Sequence, residues 1–348
     1  MHVRNTDTPT TLPFFHPTSV VVVDDDPDFL QSFDFLVGDE IACRLYSNPQ
    51  EAVAHLKDDA TTALPGAPFF FPCASAEGYR RFFEPTDRFI AFTSSKIRDL
   101  MFNDRRFDMP SVVVVDFDMP DINGVEFCRR IKDLPCKKVI LTGKADEKVA
   151  VQAFNEGLID RFICKHSETV SEEIFATLHQ LQWAYFKDLT APMVEALRVK
   201  PPEFVDDPGF ATYFQSLCER EGVIEYYFSA NPQGVLMLDA DGGMKFLLVR
   251  GDRDLRAHCE IVEDYEGPQE LQERLMSGQE QPWFPTHHGY YEPEITNWQD
   301  YIYPVERIAG RDDWSCSLIG GVETFFDPDG RLQSFSLFRG GVHAPTLQ

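Results

Sequence analysis

The chain of 348 residues is predicted to fold as a doubly wound α/β unit, a five-stranded parallel sheet with a long insertion, followed by an α+β domain with an antiparallel sheet. Three observations predict this. Five short apolar runs alternate with helical patterns across the first half, the order that a parallel sheet with crossover helices requires. Two of these runs, Val20-Val21-Val22-Val23 and Val112-Val113-Val114-Val115, are apolar without interruption, as strands covered on both faces are. After Pro201-Pro202 the pattern becomes strands separated by Asn231-Pro232-Gln233-Gly234 and Asp241-Gly242-Gly243, which read as hairpin turns.

In order, residues 1–17 are polar and rich in Pro and Thr and read as a loose arm. Residues 19–24 form the first strand. Asp26 is a good N-cap and Pro27 suits the first turn of a helix to about 37. A strand at 42–46 follows, and Asn48-Pro49 opens a helix to about 57. From 60 to 110 the pattern is irregular, broken by Pro65, Pro68, Pro72 and Pro85. It reads as an insertion that packs through aromatics such as Phe69-Phe70-Phe71, with a helix up to Phe102. Alternation resumes with strand 111–116, a turn over 119–124, helix 125–132, strand 138–142, helix 147–156 ending at Gly157, and strand 161–164. A long helix starts near Thr169, whose spacing to Glu172 matches a capping box. Ile174, Leu178, Leu181, Tyr185 and Leu189 mark its apolar face, and Pro192 is expected to stop it.

In the second half the spacing predicts helix 210–221, strands 224–228, 234–239 and 244–249, and helices 252–264 and 269–276. Residues 323–327 and 332–338 are expected to flank a further hairpin at Asp327-Pro328-Asp329-Gly330. His287-His288 lacks a third ligand at useful spacing and reads as loop. Gly320-Gly321 and Gly340-Gly341 read as turns.

Composition narrows the function classes. Hydrophobic content of 43% and aromatic content of 13% are those of a globular chain. No apolar run approaches the roughly 20 residues of a membrane span, and no basic-then-apolar leader is present, so a cytoplasmic protein is expected. Eight cysteines are scattered without CxxC or Cys/His ligand spacing, as free thiols in a reducing compartment are. The formal charge is −25. From residue 198 onward 12 basic residues face 26 acidic ones, a balance of −14, which disfavours DNA as a partner of the second half.

In an open α/β sheet, ligands bind at the carboxyl ends of the strands. Here the first strand ends in Asp24-Asp25-Asp26, the third in Asp116 and the fourth in Thr142, and Lys165 follows the fifth. Clustered carboxylates repel unless a cation intervenes, and hard oxygen ligands at a pocket mouth suit Mg²⁺. Phosphoryl transfer asks mainly for positioning and charge neutralisation. A carboxylate nucleophile, a divalent cation, a lysine and a hydroxyl donor suffice for an aspartyl-phosphate site.

Val-Val-Asp24-Asp25-Asp26-Pro, Val-Val-Asp116-Phe-Asp-Met-Pro-Asp-Ile-Asn-Gly124, Ile-Leu-Thr142-Gly and Phe162-Ile-Cys-Lys165, in this order, resemble the receiver domains of bacterial two-component response regulators. The resemblance covers about 18–190 without the insertion, and it implies a flavodoxin-like fold. Carried over, Asp116 matches the phospho-acceptor, Asp25 the direct Mg²⁺ ligand and Asp24 a ligand acting largely through water. Asp118 would offer its backbone carbonyl to the metal, Thr142 its hydroxyl to the phosphoryl group, and Lys165 its charge to the acceptor. Phe162 holds the position of a switch aromatic. The sequence departs from the family at His166, where Pro usually follows the lysine, and in the length of its insertion.

The resemblance implies a phosphorelay response regulator whose partners are a histidine kinase or phosphotransfer protein. The apolar face on 174–189 suggests a homodimer. The expected division is an arm over 1–17, a receiver domain over 18–168, a linker helix over 169–200 and an output domain over 201–348. The output domain, loosely similar in rhythm to a PAS-type sensor, is expected to bind a protein or small ligand. Two other readings stay open, a receiver-controlled enzyme and, less favoured by the charge, a transcription regulator.

Overall fold

The computed structural model describes residues 11–62, 70–73, 89–92, 95–143, 147–199, 203–286 and 289–342. The chain enters with a two-residue strand β1 (Phe14–Phe15), then runs β2 (Ser19–Val23), α1 (Pro27–Val37), β3 (Ala42–Tyr46) and α2 (Pro49–Thr62). The insertion contains an antiparallel pair, β4 (Phe70–Cys73) and β5 (Phe89–Phe92), and a short helix α3 (Ser95–Asp99) continued by a 3₁₀ turn to Phe102. Then follow β6 (Pro110–Asp116), α4 (Gly124–Arg130), β7 (Lys137–Thr142), α5 (Glu147–Asn155), β8 (Arg161–Cys164) and α6 (Val170–Val199).

Five strands form one parallel sheet in the order β3-β2-β6-β7-β8. Consecutive side chains on a strand point to opposite faces, so each valine run supplies two cores at once. Val21, Val23, Val113 and Val115 pack under α2, α4 and α5. Val20, Val22, Val112 and Val114 pack under α1 and α6. Both faces are covered, which is why these strands carry no polar alternation. Two of the predicted caps are present: the Asp26 carboxylate accepts from the backbone N–H of Asp28 and Phe29, and Asn48 accepts from Gln50 and Glu51.

The second half continues with α7 (Pro208–Glu221), β9 (Glu225–Ala230), β10 (Gln233–Leu238), β11 (Met244–Gly251), α8 (Asp252–Asp264), α9 (Gln269–Met276), β12 (Glu280–Pro282), β13 (Ile302–Pro304), β14 (Glu306–Ala309), β15 (Asp313–Gly320), α10 (Glu323–Phe326) and α11 (Phe335–Val342). Its six-stranded antiparallel sheet has the order β1-β9-β10-β11-β15-β14. The two expected turns join β9 to β10 and β10 to β11.

Four expectations are corrected. Residues 11–17 are not a loose arm. Phe14 and Phe15 pair with Tyr227 and Tyr226 of β9, and Phe14 is fully buried against Phe186; an exposed sheet edge and an apolar slot hold the segment. Pro192 does not stop α6, which continues to Val199 with the proline inside it, because Tyr185, Phe186 and Met193 anchor that part of the helix in the second core. No hairpin forms at Asp327–Gly330: the flanking segments are α10 and α11, and the Asp327 carboxylate accepts from the N–H groups of Arg331 and Leu332 to close the loop. Gly340-Gly341 lies within α11 and is not a turn. His287-His288 and the side chains of Phe69-Phe70-Phe71 lie outside the described residues.

The two sheets are joined by packed and charged contacts. Ile97, Leu100, Met101 and Met109 belong to the core of the antiparallel sheet. Arg106 forms a buried ion pair with Glu225 at 2.7 Å and also donates to the Gln333 carbonyl. The Arg339 guanidinium donates to the carbonyls of Gly38 and Ile41 at the end of α1. Among the described residues, no helix is long and apolar enough to cross a membrane.

Candidate functional site

The parallel sheet delivers its strand ends to one rim. Backbone pairing fixes the geometry: the N–H of Asp24 bonds to the Tyr46 carbonyl, that of Phe117 to Leu141, and that of Lys165 to Thr142, at 2.9 to 3.1 Å. Thus β2, β6, β7 and β8 place Asp24, Asp116, Thr142 and Lys165 side by side.

The Lys165 ammonium lies 2.7 Å from Asp116 Oδ1 and 2.7 Å from Asp24 Oδ2. It also sits 4.4 Å from the centre of the Phe29 ring, a cation–π contact from the first turn of α1. The His166 departure therefore leaves the lysine aimed at the acids; His166 itself is exposed. The second oxygen of Asp116 accepts from the Asp118 N–H at 3.1 Å, and Asp24 Oδ1 accepts from the Asp26 N–H at 2.9 Å. Gly124 opens α4 hard against this loop: a β-carbon there would stand 2.5 Å from the Asp116 carbonyl oxygen. The side chain of Asn123 caps the same helix by accepting from the Glu126 N–H.

Carboxylate oxygens of Asp24, Asp25 and Asp116 all lie within 4.8 Å of one another. Asp25 is exposed at the mouth, while Asp24 and Asp116 are buried. Burial pushes the Asp24 carboxyl above its usual range, against the opposing pull of Lys165. For Lys165, burial works to lower the ammonium, but its bonds to Asp116 and Asp24 prevail and hold it above the usual lysine value. Three carboxylates against one ammonium leave a local excess of negative charge. A divalent cation with oxygen preference fits this donor set, so Mg²⁺ suits the residues present. The Thr142 hydroxyl is fully buried and has no hydrogen-bond partner among the described residues, a donor available to an oxygen arriving beside Asp116. Phe162 is half-buried next to Phe154, with ring centres 6.4 Å apart.

Every site residue read from the sequence thus lies at this rim or, for Phe162, one strand turn below it. Phe29 was missed, because an aromatic three residues after a cap reads as core; its only signal is proximity to the acid run.

The sequence profile of the response regulator receiver domain matches residues 74–176. That segment of the chain is a response regulator receiver domain. The match leaves β2 outside, yet β2 pairs with β6 and brings Asp24 and Asp25 beside Asp116. The chain is similar to the Legionella pneumophila response regulator LqsR, at 29% identity over 98% of this chain and 100% of that one, with a TM-score of 0.77. A response regulator receiver domain protein from Clostridium thermocellum aligns with 47% of this chain and 93% of its own at 19% identity, with a TM-score of 0.30. No curated protein matches the sequence.

Proposed function

We propose that this response regulator takes a phosphoryl group onto Asp116 from a histidine kinase or phosphotransfer protein. A carboxylate oxygen of Asp116 bonds to phosphorus as the P–N bond of a phosphohistidine breaks and the imidazole leaves. Asp25, Asp24 and Asp116, with the Asp118 carbonyl, are the groups that would hold Mg²⁺, and the bound ion would supply charge neutralisation beside the acceptor. Lys165 stays beside the acceptor and balances the acyl phosphate. Thr142 donates its unpartnered hydroxyl to a phosphoryl oxygen, and its movement frees Phe162 to change rotamer.

The single observation that carries this reading is the Lys165 ammonium bridging Asp116 and Asp24 at 2.7 Å each. The output is a change in self-association or in contacts with the C-terminal sheet, which in turn meets a protein or small ligand. A role in DNA binding is disfavoured by the −14 balance after residue 197.

The test is labelling with acetyl phosphate and Mg²⁺, read on phosphate-affinity gels with light scattering in parallel. Wild type is expected to shift and Asp116→Asn to stay unshifted. Equal labelling of both removes Asp116 as the acceptor.

A further inference from the structure

The antiparallel sheet buries a charge that no carboxylate among the described residues pairs with directly. Arg250 ends β11 directly opposite Ser315 of β15, so both side chains leave the same face of the sheet. The Arg250 guanidinium is 7% exposed and donates to the Pro282 carbonyl. Among the described residues, no carboxylate reaches ion-pair distance of it. The acid it feels most, Asp254, sits in the first turn of α8, where its carboxylate accepts from the Gly251 N–H at 3.4 Å.

Two further polar groups beside it are stranded. Among the described residues, neither the buried Ser315 hydroxyl nor the buried Nδ1 of His258 on α8 has a hydrogen-bond partner. The His258 ring lies against Tyr290, with centres 4.6 Å apart. Tyr290 is 36% exposed. Gln281 donates to the Ser315 carbonyl and the Ser317 hydroxyl beside them.

Buried polar groups are nearly always partnered, and an unpaired buried cation is costlier still. Their concentration at one spot marks a place for a polar molecule. We propose that Arg250, His258 and Ser315 form a binding site for a short monocarboxylate. A water molecule would satisfy the hydroxyl but leave the guanidinium charge uncompensated. The planar fork of Arg250 matches a carboxylate, the Ser315 hydroxyl reaches its second oxygen, and the tautomer of His258 protonated at Nδ1 supplies a third donor. Burial, reinforced by the charge of Arg250, drives the His258 pKa down to about 2. The site then carries a single positive charge, which suits a monoanion and not a phosphate dianion. The apolar ring of Tyr290 faces the ligand's short chain.

This inference is independent of phosphorylation at Asp116. It is tested by calorimetric titration of the full chain with sodium acetate and sodium propionate, with sodium phosphate and sodium chloride at matched ionic strength as comparisons. Saturable binding of a carboxylate is expected. Arg250→Lys should weaken it about tenfold through loss of the bidentate fork, and Ser315→Ala several-fold. Ser315→Ala deletes only an unbonded hydroxyl, so it keeps the test valid if Arg250→Lys folds poorly. Asp254→Asn separates the site from a merely structural arginine: removing the neighbouring negative charge should tighten carboxylate binding. No binding of either carboxylate, tighter binding of phosphate, or unaltered binding in Ser315→Ala or Asp254→Asn overturns the proposal.

Discussion

At the scale of single residues, the carboxylate rim holds one anchored cation and one unbonded hydroxyl. Lys165 is tied to two acids and to the Phe29 ring, whereas the Thr142 hydroxyl has no hydrogen-bond partner among the described residues. Replacing Thr142 by Ala should therefore leave folding almost intact, slow labelling by acetyl phosphate, and abolish any phosphorylation-dependent change in light scattering. A Thr142→Ala protein that still changed size on labelling would show that the hydroxyl carries no signal. Phe29→Leu removes a cation–π contact of about 0.5–1 kcal/mol, and should loosen Lys165, measurable as a drop in thermal stability. The acids, the threonine and the lysine were legible in the sequence because each terminates a strand and strand ends converge. Phe29 was not, because side-chain stacking across the rim leaves no periodic trace.

At the scale of elements, the α4 entry is the tightest joint of the site. The missing β-carbon of Gly124 lets the helix start against the Asp116 carbonyl. Gly124→Ala must push that backbone away, at a cost of about 1–3 kcal/mol for overpacking. Urea denaturation should report the lost stability, and calorimetric titration with MgCl₂ a weaker affinity, since the displaced loop carries both Asp116 and Asp118. The five parallel strands were readable from their apolar runs because double-sided burial writes itself into composition. The second sheet was readable only in part. β9, β10 and β11 announce themselves by their turns, but β15 alternates Trp314, Cys316 and Leu318 with three serine or aspartate positions, and its place between β11 and β14 depends on partners distant in sequence. The helical α10 and α11 carry Phe and Ser in proportions that suit strands equally, so tertiary packing decides them.

At the scale of the whole molecule, Arg106 and Glu225 tie the receiver's insertion to the antiparallel sheet with side chains 1% and 2% exposed. The Tyr227 hydroxyl also donates to Glu225. Removing one partner of such a pair leaves a buried charge, so Glu225→Leu should cost about 3–5 kcal/mol. Adding Arg106→Met should recover most of that loss, as denaturant melts of the single and double variants would show. His16, fully buried between Phe186 and Tyr227, has its pKa driven down to about 3 chiefly by burial. The unfolded chain takes up this proton below about pH 6.5 while the folded chain refuses it until about 3. Stability should thus decline on acidification through that window, by about 1.4 kcal/mol per pH unit from this histidine. His16→Phe should flatten the decline when melting temperature is followed between pH 7 and pH 4.5.

The pairing of Phe14 with Tyr227 gives the chain a nested order: it starts in one sheet, leaves to build the other, and comes back to finish the first. A receiver spliced out of this protein at its apparent borders would carry off, or leave behind, an edge strand owned by its neighbour. Exchange of receivers between regulators, simple where domains sit like beads on a thread, is thereby blocked in this architecture.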